Sequence, residues 1–194
     1  MNSQIILSNI NEIVQLNEDE TEFLESVLIP RPYKQGEIIV ECGETSKYIM
    51  FINSGYLMTY YTDKNGTDHV IQFGGGGWWS GDIYNLNKNT RTLYTTKGLC
   101  DGEVLLLPLL AQNHLLEHYI KFERYFRIMF QNALLRQQLR FVESYSTSTE
   151  QRYNSFIAAY PTIEQFVPQK YIASYLGITP EFLSKIRKKK SGGK

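Results

Sequence analysis

The chain has 194 residues, of which 42% are hydrophobic and 21% charged, and its 20 basic and 20 acidic residues cancel. This composition predicts a globular protein of one large or two small domains and excludes a disordered chain. No apolar run approaches the roughly 18 residues of a membrane helix, no signal peptide is visible, and two cysteines are too few for a disulfide framework or a four-cysteine metal site. We therefore expect a cytoplasmic protein without a membrane partner.

The first part of the chain is predicted to be rich in β-structure after one short helix. Asn17 and Glu20 have the spacing of a capping box, which predicts the start of a helix. Pro30 and Pro32 end that helix. Short β-type runs then alternate with glycine and asparagine turns, which is typical of a small barrel, sandwich or β-roll. The predicted strands are Ile38–Val40, Tyr48–Ile52, Tyr56–Tyr61, Val70–Phe73, Leu93–Thr96 and Val104–Leu107.

A long helix follows, because residues 118–145 contain neither glycine nor proline. Apolar residues recur there at alternating spacings of three and four, and further apolar side chains widen the surface beyond one stripe. We expect one face to pack on the β-structure and the stripe to pack on the same helix of a second subunit. The alternative is a helix buried entirely within one monomer. The predicted interface stripe is Tyr119, Phe122, Phe126, Met129 and Ala133.

The end of the chain predicts two helices joined by a tight turn. Gln169–Leu176 forms the first helix, Gly177 allows the turn, Thr179 caps the second helix, and Pro180 stands at its first turn. Residues 166–194 contain seven basic residues and one acidic residue, so a basic segment follows an acidic body. This pattern is typical of a DNA-binding helix-turn-helix. The alternative is an ordinary helical hairpin with a basic surface.

These segments resemble the Crp/Fnr family of transcription regulators over nearly the whole chain. Residues 169–188 are similar to the helix-turn-helix of that family, as are residues 150–153 and 160–161 before it. Upstream, residues 34–39, 42–44, 52–55 and 81–82 look like the glycine signposts of its β-roll. The resemblance implies an α+β fold. It has a cyclic-nucleotide-binding-like β-roll (a double-stranded β-helix) at 1–112, a long dimerisation helix at 113–148 and a C-terminal helix-turn-helix domain at 149–194.

The resemblance also implies a homodimer that binds an inverted repeat in double-stranded DNA, with RNA polymerase as a candidate partner. The start of the second helix reads base edges, whereas basic residues around it neutralise phosphates. Base-reading candidates are Glu181 and Ser184, with Lys185 or Arg187, and phosphate candidates are Lys170, Lys188, Lys189 and Lys190. The predicted DNA-binding set is Gln169, Lys170, Thr179, Pro180, Glu181, Ser184, Lys185, Arg187 and Lys188.

A candidate effector site follows from the same resemblance. Family members that bind cyclic nucleotides hold the ribose with a glycine–glutamate pair and the phosphate with an arginine. Here Gly81 and Asp82 match the pair with a shorter side chain, and Arg91 is the nearest arginine. Counting back without gaps from the strand at 100–104 instead places Thr92 at the arginine position. We therefore expect an effector other than cyclic AMP, and the absence of any effector is left open.

The first hypothesis is thus a sequence-specific transcription regulator that is not an enzyme and carries no cofactor. The alternative is a cytosolic ligand-sensing module that regulates a protein partner without sequence-specific DNA binding. An enzyme on a cupin-like barrel would need a His/Glu metal cluster along its strands, and the three histidines are scattered. Cys42 and Cys100 either pair, sense redox state or are inert buried thiols.

Overall fold

Two four-stranded antiparallel sheets form the body of the molecule in a computed structural model that describes residues 2–82 and 90–191. The strand order is β1–β8–β3–β6 in the first sheet and β2–β7–β4–β5 in the second. The strands are β1 Ile29–Tyr33, β2 Ile38–Val40, β3 Tyr48–Ser54, β4 Tyr56–Thr62, β5 Asp68–Gly75, β6 Trp79–Ser80, β7 Thr95–Gly98 and β8 Gly102–Pro108. The core between them is built from Tyr33, Ile39, Met50, Ile52, Leu57 and Val104.

β6 (Trp79–Ser80) was not predicted, and β1 and β7 differ from the prediction for local reasons. β1 forms across Pro30 and Pro32, which pair with Leu105 and Glu103 at the edge of the first sheet. Every second N–H of an edge strand faces away from the sheet, so proline is tolerated there. β7 begins at Thr95 rather than at residue 93, because the Thr92 hydroxyl accepts the Tyr94 N–H (3.1 Å) and competes with strand pairing.

Helices precede and follow these strands in the sequence. Asn17 and Glu20 form the predicted capping box of α2 (Glu18–Val27), with both bonds at 2.8 Å. The sequence analysis missed α1 (Gln4–Asn11), whose Ile6 and Ile10 are buried against the first sheet. After β8 come α3 (Leu109–His118), α4 (Ile120–Ser146), α5 (Thr149–Ala159), a 3₁₀ turn (Ile163–Gln165), α6 (Gln169–Leu176) and α7 (Pro180–Ser191).

The long helix is interrupted at Tyr119, where an extended residue separates α3 from α4. The first half of α4 then belongs to the core of the same chain. Phe122 and Phe126 are 0% and 2% exposed, and they pack with α1, α2 and the first sheet. Met129 and Tyr119 pack at the margin of this cluster, and Ala133 is half-buried.

The predicted subunit interface is therefore wrong for Phe122 and Phe126, which are not available to a second chain. Periodicity shows that a helix face is apolar but does not identify the surface that covers it, and here α1 is part of that surface. Apart from Ile120 at its first position, the exposed apolar residues of α4 lie in its second half. They are Leu134, Leu135, Leu139, Phe141, Val142 and Tyr145.

The C-terminal helices pack on the second sheet at β5, its edge strand. Ser174 of α6 accepts the N–H of Val70 (3.0 Å) and donates to the carbonyl of Asp68 (3.1 Å). Two further side chains reach β5 carbonyls, Arg140 to Ile71 (2.6 Å) and Tyr160 to Phe73 (2.9 Å). The backbone of β5 is thus bonded on one side by β4 and on the other by side chains of the helices.

In the part of the chain that the structure describes, no helix is both long enough and apolar enough to cross a membrane.

Candidate functional site

The C-terminal candidate site is built on α6, α7 and the turn between them, which together are called the helix pair. Gly177 ends α6 in the left-handed conformation (φ 68°), which a residue without Cβ adopts at little cost. Across the turn, Leu183 and Ile186 of α7 pack with Ile172, Ala173 and Leu176 of α6 in one buried cluster. The turn and the apolar contacts predicted for this segment are present in the structure.

The start of α7 is exposed and carries a negative charge at Glu181. The Thr179 hydroxyl accepts the N–H of Phe182 (3.3 Å), so Thr179 caps the helix as predicted. Thr179, Pro180 and Glu181 are all exposed. Hydrogen bonds from its own N–H and from Thr179 lower the pKa of Glu181. Glu181 therefore presents a carboxylate, which accepts hydrogen bonds and does not donate them.

Two predicted DNA contacts are engaged within the chain. Arg187 is half-buried, and its Nε lies 3.4 Å from Oε1 of Glu164, which also accepts the Tyr153 hydroxyl at 2.8 Å. Lys189 forms an ion pair with Glu150 at 3.1 Å. Of the two predicted alternatives, Lys185 is exposed, whereas Arg187 is half-buried.

The remaining predicted residues of the helix pair present polar groups outward. Gln169, Lys170, Lys185 and Lys188 are exposed, and Ser184 is half-buried. Among the described residues, no carboxylate forms an ion pair with Lys170 or Lys185. The Lys170 ammonium lies 4.7 Å from the centre of the Tyr171 ring. The side chain of Lys190 lies outside the described residues.

The β-roll candidate site brings together only some of its predicted members. The Thr92 hydroxyl donates to Asp82 at 2.7 Å, and Thr92 is 1% exposed. Arg91 is exposed, and Gly81 is exposed beside Asp82. Residues 83–89, which connect the two halves of this site, lie outside the described residues. Asp82 is therefore bonded to the buried hydroxyl of Thr92. In the ungapped count, Thr92 stands at the position where the resemblance implies an arginine, whose guanidinium would bind a cyclic phosphate.

The two neighbouring tryptophans contact different helical segments. The Trp79 indole donates to the Tyr125 hydroxyl (2.7 Å), which donates to Asn9 (2.6 Å), so Trp79 ties the β-structure to α4 and α1. Burial raises the pKa of Tyr125 to about 12, which keeps this hydroxyl protonated as a donor. Trp78 instead packs on Tyr160, with their ring centres 5.4 Å apart. The pair therefore connects the β-roll to both groups of helices.

A cavity of about 330 Å³ opens between α1, the two tryptophans and α4. Gly81 lies at its wall, and polar groups of Glu12, Asn132 and Arg136 stand among its lining residues. The Arg136 guanidinium also lies 5.0 Å from the centre of the Trp78 ring. The cavity thus borders Gly81, one of the predicted effector residues, and touches Trp78, which packs on Tyr160.

The sequence analysis missed the partners that lie far away in the chain. Glu164, which holds Arg187, and Lys97 of β7, which lies against Tyr171, have no local signal because both contacts depend on the tertiary fold. Within residues 2–82 and 90–191, no group of three His, Cys, Asp or Glu residues is arranged to hold a metal ion. Cys42 is exposed and Cys100 half-buried, and both are free thiols.

Comparisons with known proteins agree with this architecture. Residues 30–119 match the model of the cyclic nucleotide-binding domain family. No curated protein matches the sequence significantly. Among solved structures, FixK2 from Bradyrhizobium japonicum is similar with a TM-score of 0.71 and 16% identity, over 86% of each chain.

Two further structures cover more of the chain. The regulator CLP from Xanthomonas campestris, described as responsive to c-di-GMP, has a TM-score of 0.70 and 11% identity over 91% of this chain and 92% of its own. A protein assigned to the Crp/Fnr family of transcriptional regulators, from Eubacterium rectale, has a TM-score of 0.68 and 18% identity over 92% and 85%. Residues 30–119 are therefore similar to a cyclic nucleotide-binding domain, and the chain shares the α+β fold of these solved structures.

Proposed function

We propose that the protein is a cytoplasmic, homodimeric transcription regulator of the Crp/Fnr type, which recognises an inverted repeat in double-stranded DNA and has no enzymatic activity. The observation that carries this proposal is the exposed start of α7. A capped helix presents Glu181 and Lys185 outward while its opposite face is buried against α6. A helix that is held in this way enters the major groove with its N-terminal residues at the base edges.

The proposed subunit contact is the exposed apolar face of the second half of α4. Leu135 and Val142 are separated by seven residues and are 52% and 56% exposed, and Leu134 and Phe141 repeat the same spacing beside them. A seven-residue apolar repeat on one helix pairs with a second copy as a coiled coil. A twofold dimer of this kind holds two copies of α7 about one DNA turn apart, roughly 34 Å.

The proposed effector is a small molecule other than cyclic AMP. The buried Thr92 is bonded to Asp82, and the exposed Arg91 stands outside this pair. A cyclic phosphate needs a positively charged partner, which the Asp82–Thr92 pair does not supply.

Cyclic AMP at millimolar concentration is expected to leave the melting temperature of the protein unchanged. A ligand that binds only the folded state must raise that temperature, so differential scanning fluorimetry with cyclic AMP and cyclic GMP tests the site directly. A saturable rise with cyclic AMP that disappears in Arg91→Ala would contradict the proposal that this site no longer reads cyclic nucleotides.

The regulatory function itself is tested by selection from a pool of random DNA duplexes. We expect the purified protein to enrich an inverted repeat and to bind it at least about a thousandfold more tightly than a scrambled duplex at physiological salt. Electrophoretic mobility shifts over a salt series measure both affinities. If no duplex is preferred, the DNA-reading function fails and the alternative, a sensor that regulates a protein partner, replaces it.

A further inference from the structure

A lysine of the β-roll and a lysine of the helix pair approach the same tyrosine. The Lys97 ammonium of β7 lies 5.1 Å from the centre of the Tyr171 ring and 3.5 Å from its hydroxyl oxygen. The Lys170 ammonium lies 4.7 Å from the centre of that ring. The two charges are therefore no more than about 10 Å apart, although they come from different parts of the fold.

Neither lysine is neutralised within the part of the chain that the structure describes. No carboxylate there forms an ion pair with Lys97 or Lys170. Two carboxylates, those of Asp68 and Glu41, lie near Tyr60, which neighbours Lys97. Burial raises the pKa of Tyr60 most, and the negative charges of Asp68 and Glu41 raise it further. Asp68 accepts the hydroxyl of Thr62 at 2.8 Å. The Lys97 ammonium also lies 5.6 Å from the centre of the Tyr60 ring, so it contacts the faces of two tyrosine rings, Tyr60 and Tyr171.

Two other basic residues of the C-terminal segment have acidic partners within the chain. Arg187 and Lys189 form ion pairs with Glu164 and Glu150. Phosphate contact requires cations whose charge is not already satisfied by an acid. The pair of Lys97 and Lys170 meets this requirement, together with an adjacent phenol hydroxyl that can donate to a phosphate oxygen.

We propose that Lys97 and Lys170, with Tyr171 between them, form one binding site for DNA phosphates, so that the β-roll itself holds the DNA backbone beside the segment read by α7. In a helix-turn-helix the first helix crosses the backbone, and Lys170 lies in the first turn of that helix. Phosphates on one strand succeed one another every ~3.4 Å along the axis, so two lysines no more than about 10 Å apart can contact separate phosphates of the same strand. This inference rests on the proposed function.

The competing interpretation is that Lys97 only joins β7 to α6 through its contact with Tyr171. The two interpretations differ in what a neutral side chain of similar length does. If Lys97 is only a packing contact, Lys97→Met changes the stability of the fold and leaves the dependence of DNA binding on salt unaltered. If Lys97 binds phosphate, the salt dependence itself changes.

The test measures binding of the wild type, Lys97→Met, Lys170→Met and Lys97→Arg to the selected and to a scrambled duplex over a salt series. Lys47→Met is the matched control, since Lys47 is exposed beside β3 on the other sheet. We expect Lys97→Met to make the slope of log K against log salt shallower by about 0.9 per subunit. At ~0.15 M salt this corresponds to binding about fivefold weaker per subunit on both duplexes. Lys97→Arg and Lys47→Met should keep the wild-type slope.

The inference alone is overturned if Lys170→Met makes the slope shallower and Lys97→Met does not. Thermal denaturation must show that both variants are folded. A melting temperature that falls for Lys97→Met without a change in slope overturns it equally. Failure of the wild type to bind any duplex removes the proposed function as well, so the two failures are distinguishable.

Discussion

A chain with glutamate at both Leu135 and Val142 is expected to be a folded monomer that no longer binds the inverted repeat. Both side chains are exposed in one chain, so the substitutions leave its core intact. In the proposed dimer they would bury four unpaired charges, and each such charge costs about 3–5 kcal/mol. Since about 1.4 kcal/mol is a factor of ten, the dimer dissociation constant should rise more than about a thousandfold. Sedimentation velocity and mobility shift measure the two losses.

The matched control places the same charges elsewhere on the same helix. Gln137 and Ser144 are exposed, lie two residues beyond Leu135 and Val142, and have the same seven-residue separation. The variant with glutamate at both should remain dimeric. In contrast, Phe126→Glu should unfold the protein, because Phe126 is 2% exposed within one chain. A dimeric Leu135→Glu/Val142→Glu variant would refute the proposed interface.

Loss of base preference is the second large effect, and it is expected from Lys185→Ala and Glu181→Ala. A lysine that contacts guanine and a carboxylate that accepts a cytosine amino proton each contribute about 1–3 kcal/mol of discrimination. Each substitution should therefore weaken operator binding about 5- to 150-fold and relax the preference at one base pair. Competition between the operator and its single-base variants measures this. Lys188→Ala should instead weaken all duplexes alike and reduce the salt dependence.

Arg187→Ala is the informative comparison on the same helix. Its ion pair with Glu164, which also bonds Tyr153, assigns it to holding α7 against the preceding segment. We expect a lower melting temperature and an unchanged order of preference among duplexes. A changed preference at one base pair, with stability intact, would return Arg187 to the base-reading set.

The helix pair could be predicted from the sequence because its signals are local. Gly177 for the left-handed turn, Thr179 for the cap and the spacing of Ile172, Leu183 and Ile186 all act within about fifteen residues. The same holds for the capping box of α2. Short-range chemistry of this kind leaves few alternatives for the backbone.

The errors arose where a distant segment decides the outcome. Phe122 has the same apolar periodicity whether a second subunit or α1 covers it, and the contact that decides between them spans more than a hundred residues. The sequence likewise does not show that Arg187 has an acidic partner, because Glu164 comes beside it only in the folded chain. Lys97 lies in a strand with no basic neighbour in sequence, so its approach to Tyr171 follows only from the way α6 packs on the second sheet.

The way α6 covers β5 has a consequence for how far the helix pair can move. Ser174, Arg140 and Tyr160 bond main-chain groups of an edge strand, and an edge strand without such cover is a template for pairing with other chains. Any activation that lifted the helix pair clear of β5 would remove the Ser174 bonds and uncover this strand at Asp68 and Val70, which would favour self-association. A rotation that keeps Ser174 on the strand, or a partner that replaces it, avoids that hazard. The contact that positions the helices thus also guards the molecule against aggregation.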